Sequence, residues 1–249
     1  TKYELVASLP KDGIAIFNGT NEECQKLAQR ANIKKYIYSL QGGNSDVFAR
    51  NIKETPDSIE FKIETFKGNE EIRLNLLGKH NIENFLGAVT CALHLGISLR
   101  TIQEVAPNIK PSKTSIRKKR GENDIIIIDD SYSQNPDGVF AAIDYIKTYK
   151  EGRKIILMPC LIELGKSAPS IHKSVGRAIG KTFDLAIITT PFYFEEIKIG
   201  AMESSMSEGK ILFSNNPEEI SEKVEPYFSS ENVILIEGRV NERIIKGLT

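Results

Sequence analysis

The second half of the chain alternates short apolar runs with longer amphipathic stretches. Short runs rich in isoleucine and leucine are typical of strands buried on both faces of a parallel sheet. The pattern predicts strands at Asp124–Ile128, Lys154–Met158, Leu185–Thr189, Lys210–Phe213 and Val233–Ile236. It predicts helices at Pro136–Tyr149, Ser170–Lys181, Phe194–Ser205, Pro217–Phe228 and Asn241–Gly247. This alternation predicts an α/β, Rossmann-like fold with a mainly parallel sheet and helices on both faces.

The first half has a different pattern, in which a strand–helix–strand unit precedes further alternating strands. The predicted strands are Ile14–Phe17, Lys35–Leu40, Val47–Lys53, Ser58–Thr65 and Ile72–Leu76, with Gly68-Asn69 as the turn between the last two. The predicted helices are Lys2–Leu9, Glu22–Ala31 with Asn21 as its cap, Gly78–Gly96 and Leu99–Ala106. The combination predicts a mixed sheet. We place a linker at Asn108–Ser115, which gives domains at 1–108 and 109–249.

The composition narrows the class of protein. The chain has 249 residues, 40% of them apolar, and its 33 basic residues balance 33 acidic ones. A net charge of zero gives no reason to expect a nucleic-acid partner, and no apolar run is long enough to span a membrane. The short basic cluster Lys118, Lys119 and Arg120 is assigned to a solvated loop. The three widely spaced cysteines predict free thiols in a reducing cytoplasm and no metal site.

The apolar run Ile125–Ile128 ends in two carboxylates, Asp129 and Asp130. In open α/β sheets, ligands bind just past the carboxyl ends of the strands. Two carboxylates at that position can hold a ribose hydroxyl, a metal ion or an ammonium group. The alternative is that the pair only caps the following helix, since acidic residues are ordinary at a helix N-terminus.

A second group of polar side chains lies at the start of the helix Gly78–Gly96. Asn81 and Asn84 are three residues apart, so both face the same side of the first turn. Amide side chains both donate and accept hydrogen bonds and can therefore read the edge of an adenine. The alternative is that Asn81 merely caps the helix. His94, in the apolar part of the same helix, is interpreted as a core histidine.

The sequence carries no intact phosphate-binding loop. The Gly-x-Gly-x-x-Gly pattern of dinucleotide-binding proteins is absent after the first strand of the second half. Gly165-Lys166-Ser167 and Gly180-Lys181-Thr182 resemble the end of a P-loop, but the earlier glycine that a P-loop needs is Cys160 in the first and Val175 in the second. We therefore expect no dinucleotide dehydrogenase.

Three motifs, in this order along the chain, resemble the Mur ligase family. The first is a Gly-x-His-Asn-x-x-Asn helix start, matched by Gly78, His80, Asn81 and Asn84. The second is Asp-Asp-Ser-Tyr-Ser-Gln-Asn-Pro-Asp-Gly at 129–138, and the third is Glu163-Leu164-Gly165 followed by His172. The resemblance implies the second half of a central ATPase domain followed by the family's C-terminal domain. Because the chain begins at Thr1 and not at Met, we expect a piece of a longer protein.

The resemblance also implies an activity and roles for residues. The family uses ATP and Mg²⁺ to turn a carboxylate into an acyl phosphate, which an amine then attacks. By resemblance, His80, Asn81 and Asn84 contact adenine, and Asp129 or Asp130 contacts the ribose or orients the nucleotide. Tyr132, Asn135 and Pro136 shape the acceptor site. The substrates are a nucleotide-sugar peptide and a dipeptide. The P-loop and the Mg²⁺ ligands would precede Thr1, so we expect this chain alone to be inactive.

Several departures from the family pattern concern the acceptor. Met158-Pro159-Cys160-Leu161 replaces Leu-Gly-Asp-Met, Ser133-Gln134 replaces Asn-Ala, and Glu237-Gly238-Arg239 replaces Lys-Gly-Ser-Arg. An arginine expected before the acidic pair aligns with Ser115, with Arg117 close by. Three alternatives follow: a diverged Mur-like ligase with another peptide precursor, a relative of folylpolyglutamate synthetase, and a non-catalytic binding module.

Overall fold

The computed structural model describes residues 3–112, 115–132 and 135–248. The chain divides into two units, Thr1–Lys110 and Pro111–Thr249. The division falls inside the segment 108–115 that the sequence indicates as a linker. Each unit has its own sheet and its own buried apolar residues.

The first unit is built on a five-stranded mixed sheet. Its strands are β1 (Ile14–Asn18), β2 (Lys34–Ser39), β3 (Val47–Glu54), β4 (Ile59–Thr65) and β5 (Gly68–Leu74). Its helices are α1 (Tyr3–Ala7), α2 (Glu22–Arg30), α3 (His80–His94) and α4 (Leu99–Val105). The strands lie in the order β1-β2-β3-β4-β5. The β1–β2 and β2–β3 pairs are parallel, and β3, β4 and β5 form an antiparallel meander.

Local sequence explains most of these elements. The Asn21 side chain accepts a hydrogen bond from the Cys24 N–H and caps α2, as predicted. The predicted hairpin between β4 and β5 is present, but its turn is not Gly68-Asn69: Gly68 already pairs with Thr65, and the loop is Phe66-Lys67. The Thr65 hydroxyl accepts the Lys67 N–H and so holds this loop. Gly68 follows with a φ of +127°, which only glycine adopts readily.

Helix α3 covers the sheet of the first unit. Ile82, Leu86 and Val89 lie on its buried face and pack in one apolar cluster with residues of β3, β4 and β5. Gly96, with a φ of +87°, ends the helix as predicted. His94 is not a core histidine: it is half-buried, and its ring contacts the rings of Tyr36 and Phe66.

The second unit is built on a six-stranded sheet. Its strands are β6 (Arg117–Arg120), β7 (Ile126–Asp130), β8 (Lys154–Met158), β9 (Leu185–Ile188), β10 (Ile211–Phe213) and β11 (Val233–Glu237). Its helices are α5 (Pro136–Ile146), α6 (Ala168–Gly180), α7 (Phe194–Met202), α8 (Pro217–Val224) and α9 (Glu242–Lys246). The strand order is β10-β9-β8-β11-β7-β6, and every pair is parallel except β6–β7.

This strand order creates a switch point beside β11. The chain moves outward from β7 through β8 and β9 to β10, and α8 then returns it to β11, between β8 and β7. Because such crossovers are right-handed, the outward and returning helices cover opposite faces of the sheet. Loops that leave neighbouring strands toward opposite faces open a crevice at their carboxyl ends. The ends of β7, β8 and β11 therefore border the expected ligand site of this unit.

The assignment of the basic cluster to a solvated loop is wrong. Arg117–Arg120 is an antiparallel edge strand whose residues pair with Ile126–Asp129 of β7. Charged side chains are common on edge strands, where they discourage pairing with other chains. Here they also face an acidic partner, since Arg117 lies directly opposite Asp129.

Candidate functional site

The end of β7 differs from the prediction in one respect. The strand does not stop at Ile128 but continues through both aspartates. It does so because β11 pairs alongside, with Glu237 opposite Asp130 and the Gly238 N–H donating to the Asp130 carbonyl oxygen. Side chains alternate along a strand, so Asp129 and Asp130 point to opposite faces of the sheet. Both are buried, with exposed fractions of 4% and 7%.

Asp129 is surrounded by donors. Lys119 Nζ lies 2.5 Å from Asp129 Oδ2, and Arg117 Nη2 lies 3.5 Å from the same oxygen. The other oxygen accepts the Ser131 N–H and hydroxyl, at 3.2 and 2.6 Å. Burial alone would raise the pKa of Asp129, but the hydrogen bonds from Lys119 and Ser131 and the charge of Lys119 outweigh it and lower that pKa. Asp129 is therefore an ionised carboxylate with its hydrogen-bonding capacity largely used.

Asp130 has the opposite environment. Its neighbour in the strand register is Glu237, which is 1% exposed and whose two carboxyl oxygens have no hydrogen-bond partner within the described residues. Burial, followed by the charge of Asp130, raises the pKa of Glu237 to about 9. Burial and, to a smaller extent, the charge of Asp129 raise the pKa of Asp130, whereas Glu237 lowers it. The net effect is a pKa of about 6. At neutral pH Glu237 thus holds a proton beside an ionised Asp130.

The residues after β7 are placed partly as expected. Tyr132 is exposed, with 67% of its surface accessible. The Asn135 side chain accepts the Gly138 N–H and caps α5, and Pro136 is the first residue of that helix. These contacts give Asn135 and Pro136 a local structural role at the end of the loop. Ser133 and Gln134 lie outside the described residues.

The start of α3 is a self-contained polar turn. Gly78 has a φ of +87°, and a β-carbon there would lie 2.7 Å from the His80 ring. The glycine is thus needed both for the turn and for the ring above it. The Asn81 amide donates to the Leu77 carbonyl oxygen at 2.8 Å and lies 3.2 Å from His80 Nε2. Asn81 therefore holds the turn and the ring, and its side chain does not cap the helix.

His80 and Asn84 remain available for a ligand at this turn. Burial lowers the pKa of His80, so the ring is neutral at physiological pH. Its Nδ1 has no hydrogen-bond partner among residues of the described ranges. Asn84 is exposed one turn further along the helix. Between them, Glu83 accepts a hydrogen bond of 2.7 Å from Asn18, which fixes α3 beside the carboxyl end of β1.

A third polar arrangement holds the loop after β8. His172 is fully buried; its Nδ1 lies 2.7 Å from the Ala168 carbonyl oxygen, and its Nε2 accepts the Leu161 N–H at 2.9 Å. Nδ1 therefore carries the proton. Burial, opposed by the Ala168 hydrogen bond, lowers the pKa of His172 and keeps the ring neutral. Its ring stacks on Tyr193 at 4.4 Å between centroids. His172 is thus a positioning residue for this loop.

Some contributions to these sites were not predicted from the sequence. In the sequence, Glu237 stands out only as a departure from the family pattern, and Lys119 only as part of the basic cluster assigned to a solvated loop. No group of three or more potential metal ligands occurs within the described ranges. Cys24, Cys91 and Cys160 are free thiols. Across the described parts of the chain, no helix has both the length and the apolar character needed to cross a bilayer.

A mixed-sheet unit, followed by a mainly parallel sheet whose switch point carries buried carboxylates, defines a ligand-binding α/β protein of two domains. Comparison with known families gives the class. Residues 1–92 match the Mur ligase middle domain, and residues 116–240 match the Mur ligase glutamate ligase domain. The chain belongs to the Mur ligase family. This confirms the resemblance and the fold class that the three motifs predict.

Named relatives include two kinds of ligase. The chain is 29% identical over 178 residues to UDP-N-acetylmuramoyl-tripeptide–D-alanyl-D-alanine ligase of Escherichia coli K12, a match covering 71% of this chain and 39% of that protein. It is 27% identical over 181 residues to UDP-N-acetylmuramoyl-L-alanyl-D-glutamate–2,6-diaminopimelate ligase of a Nostoc species, covering 72% and 36%. The matched region is thus less than half of each relative.

A solved structure shares the fold. The MurF ligase of Thermotoga maritima, crystallised with ADP, superposes with a TM-score of 0.81 at 20% identity. The match covers 99% of this chain and 55% of that one. At this identity the likeness concerns the fold, and the roles of individual residues here remain predictions.

Proposed function

We propose that this chain acts in an ATP-dependent ligase that forms an amide bond in a peptidoglycan precursor. In such a reaction, ATP converts a carboxylate of a UDP-sugar peptide to an acyl phosphate, an amine attacks it, and phosphate leaves. Membership of the Mur ligase family supports the class of reaction. The observation that carries the nucleotide part of the proposal is the start of α3, where a neutral imidazole and an exposed amide are held by a fixed turn.

The α3 turn would bind the adenine. His80 offers an imidazole whose Nδ1 is unpaired, Asn84 offers an exposed amide, and Asn81 holds the His80 ring in place. A neutral, preformed group of this kind suits a neutral base, because recognition needs hydrogen bonds and contact area but no counter-charge. Fixing these groups before binding also avoids the entropy cost of ordering them.

The carboxyl end of β7 would contact the parts of the nucleotide and the acceptor that lie next to the reacting atoms. Asp130 lies at the switch point, where open α/β sheets bind ligands, and no basic group among the described residues pairs with it. We therefore propose that Asp130 contacts or orients the nucleotide. Asp129 would have a supporting role, because its oxygens already accept hydrogen bonds from Lys119 and Ser131. Tyr132 is exposed and can contact the acceptor, while Asn135 and Pro136 position the end of the loop that carries it.

The phosphates and Mg²⁺ would need residues beyond these. No Gly-x-x-x-x-Gly-Lys-Ser/Thr sequence occurs in the 249 residues. Phosphoryl transfer depends on positioning and charge neutralisation by a phosphate cradle and metal ions. We therefore expect the 249-residue chain alone to release no ADP above a heat-killed control. The extended protein, in which this chain is joined to a segment that supplies a P-loop and Mg²⁺ ligands, should ligate an amine to a UDP-sugar peptide with stoichiometric ADP release.

Adenosine binding tests the proposal directly. We expect ADP, added to the isotope-labelled chain, to shift the NMR signals of residues at the start of α3, and guanosine diphosphate to bind at least about 10-fold more weakly. Asn84→Ala should weaken ADP binding by about 10-fold, the loss expected for a good hydrogen-bonded pair. Asn69→Ala removes an exposed asparagine elsewhere in the same unit and should change nothing. Equal binding of the two nucleotides, or an unaffected Asn84→Ala variant, would contradict the adenine site.

A further inference from the structure

An open pocket of about 400 Å³ lies in the first unit, beside α2. Gly19 and Ser39, at the carboxyl ends of β1 and β2, line it, and ligands commonly bind at such ends of parallel strands. Side chains alternate along β2: Ile37 lines the pocket, whereas the rings of Tyr36 and Tyr38 contact α3 on the other face. The pocket is therefore separate from the α3 turn that would bind adenine.

Uncharged hydrogen-bonding side chains supply most of the lining. They are the amides of Gln25, Gln29, Gln41 and Asn44 and the hydroxyls of Ser39 and Ser45. The amides of Gln29, Gln41 and Asn44 form no hydrogen bond with any residue that the structure describes. An amide side chain both donates and accepts hydrogen bonds, and so does a hydroxyl group. Three such amides around one cavity therefore suit a ligand that carries several hydroxyl groups.

The charged groups at this pocket are already compensated. Lys35 is the charged residue in the lining, and its Nζ donates to the carbonyl oxygens of Ala28 and Ala31 at the C-terminal end of α2. The partial negative charge of that helix end offsets the charge of the ammonium group. Asp46, which follows the lining residues in the chain, uses its carboxylate to accept the Ile37 N–H. Because a charged ligand would lose its water here without gaining a free counter-charge, the pocket suits a neutral ligand.

The walls of this pocket are held by specific contacts. The Gln25 amide donates to the Gly19 carbonyl oxygen, which joins α2 to the loop after β1. The Thr20 hydroxyl accepts the Leu40 N–H at 3.2 Å and lies 3.5 Å from Ser39 Oγ, which joins the loops after β1 and β2. Loops that are tied together in this way form a pocket before any ligand arrives, as most small-molecule sites do.

The loop after β2 adds backbone donors to the lining. Residues 41–45 read Gln-Gly-Gly-Asn-Ser. Gly43 has a φ of +89°, and a β-carbon there would meet no atom within 4 Å, so glycine serves the turn and not the packing. The backbone N–H groups of residues 42–45 form no hydrogen bond within the described ranges. Both the side chains and the backbone of this loop thus have hydrogen-bonding groups to offer.

We propose that this pocket binds a neutral sugar ring. The hydroxyl groups of the sugar bond to Gln29, Gln41 and Asn44. Its C–H groups lie against Ala28 and Ile37, the apolar side chains of the lining. A sugar ring carries hydroxyl groups beside apolar C–H groups, so the lining has a partner for each. The pocket also has the size of a small-molecule site, for which about 300–1,000 Å³ is usual. The inference goes beyond the proposed ligase function, because the site needs neither ATP nor ligation.

NMR of the 249-residue chain, labelled at isoleucine methyl and side-chain amide groups, tests the site. Of the probes glucose, galactose and N-acetylglucosamine, at least one should shift the signals of the Ile37 methyl and the Gln29 and Gln41 amides. The methyl signal of Ile97, exposed elsewhere in the same unit, should stay unchanged. Cyclohexanol, a ring with one hydroxyl group, should bind at least about 10-fold more weakly, because it forms fewer hydrogen bonds. No shift with any of the three sugars, or equal binding of cyclohexanol, would overturn the proposal.

Charged sugars test whether the ligand is neutral. Glucosamine carries an ammonium group and glucuronate a carboxylate at neutral pH. Both should bind more weakly than the neutral sugar that binds best, because the lining has no free counter-charge for either. Tighter binding of glucosamine or of glucuronate would contradict the neutral class of ligand.

UDP-glucose distinguishes a free sugar from the sugar of a nucleotide-sugar. Binding at least about 10-fold tighter than that of glucose would identify a nucleotide-sugar, and equal or weaker binding a free sugar. Either result supports the site, provided that the shifts fall on the pocket residues. Shifts of the same residues by UDP alone, as large as those caused by UDP-glucose, would overturn the proposal in favour of a nucleotide site.

Variants of the unpaired amides separate binding from structure. Gln29→Ala and Asn44→Ala should each weaken binding of the best sugar by about 10-fold, the loss expected for one good hydrogen bond. Neither side chain bonds to a described residue, so the melting temperature should hardly change. Asn69→Ala, at an exposed asparagine of the same unit, is the matched control and should leave sugar binding unchanged. Normal sugar binding in both pocket variants contradicts the proposal, whether or not ADP binds at α3.

Discussion

The two faces of the sheet at the end of β7 each carry a buried carboxylate, but the charged groups around these two carboxylates are opposite in kind. On one face, Asp129 is matched by Lys119, Arg117 and Ser131. On the other face, Asp130 meets the second carboxyl group of Glu237. The first arrangement lowers the pKa of its aspartate and the second raises it. These two neighbouring residues of one strand are both buried but differ in charge compensation. That difference is the basis on which we propose a structural role for Asp129 and a functional one for Asp130.

The largest effect should follow from removing the counter-charge of Asp129. Lys119→Met leaves a buried carboxylate whose remaining basic partner, among the described residues, is Arg117 at 3.5 Å. Breaking a fully buried ion pair from one side costs about 3–5 kcal/mol. Because the Lys119 side chain is 40% exposed and therefore partly screened by solvent, we expect about 2–3 kcal/mol in urea unfolding at pH 7. The control, Lys147→Met, breaks an exposed pair with Asp144 and should cost at most about 0.5 kcal/mol.

The pH dependence of that loss provides a second check. Because the pKa of Asp129 is lowered in the folded protein, its ion pair stabilises the fold above the pKa of an unfolded aspartate and ceases to do so as pH falls through the folded value. The gap between Lys119→Met and the wild-type protein should therefore narrow toward pH 3. A gap that is the same at pH 3 and pH 7 would mean that Lys119 contributes through packing and not through charge.

The second-largest effect should be a difference in turnover between variants of the two aspartates. In the extended protein, Asp130→Asn should slow ligation by about 10²-fold, the order of loss seen when reacting groups are misplaced, and should barely lower the melting temperature. Asp129→Asn should mainly lower the melting temperature, because Lys119 and Arg117 lose their partner. Similar turnover losses in both variants, at a temperature where both are folded, would contradict this division of roles.

Glu237→Gln should stabilise the protein at alkaline pH. Folded Glu237 keeps its proton up to about pH 9, whereas an unfolded glutamate loses it near ~4.3, so the wild-type protein loses stability as pH rises between these values. Glutamine has nearly the same size and shape as glutamate and does not titrate. Each pKa unit is equivalent to about 1.4 kcal/mol, so we expect a melting temperature at least about 4 °C higher at pH 8 and little change at pH 4. Glu222→Gln, on the surface of α8, should change neither.

The smallest effect concerns Asn135. Its side chain caps α5, so Asn135→Ala should cost about 1 kcal/mol of stability. Asn135→Ser keeps an oxygen that can cap the helix and should restore most of that stability. If the serine variant is stable but ligates much more slowly than the wild-type protein, Asn135 contacts the acceptor as well as the helix. Equal turnover in the serine variant and the wild type limits Asn135 to the cap.

The sequence predicted the parallel strands well because their apolar runs are explicit. It missed β6, since Arg117–Arg120 contains no apolar residue, and only the pairing with β7 makes these residues a strand. It also ended β7 too early, because two aspartates ordinarily signal the end of a strand. Here β11 continues the pairing to Asp130. Local patterns contain no information about which distant segment will lie alongside.

The same limit applies to the candidate sites. The motif at 78–84 placed His80, Asn81 and Asn84 on one turn, and the structure has them there. The motif could not reveal that Asn81 bonds to Leu77 and His80. Glu237 lies far from Asp130 in the sequence, so their apposition depends on the strand order of the sheet. The sequence signal for this pair is a glutamate at a position where the family pattern has lysine. Its significance becomes clear only in the structure, where Glu237 lies opposite a second buried carboxyl group, that of Asp130.

Carbon-13 NMR titration of the side-chain carboxyl groups of Asp129, Asp130 and Glu237 tests the charge difference across β7 most directly. We predict that Asp129 titrates below the ordinary aspartate range, Asp130 near pH 6 and Glu237 near pH 9. In the Lys119→Met variant the Asp129 titration should move upward, while that of Glu237 stays in place. Titration of all three groups between about pH 3.5 and 4.5, the range of unperturbed carboxyl groups, would contradict the proposed charge difference between Asp129 and Asp130.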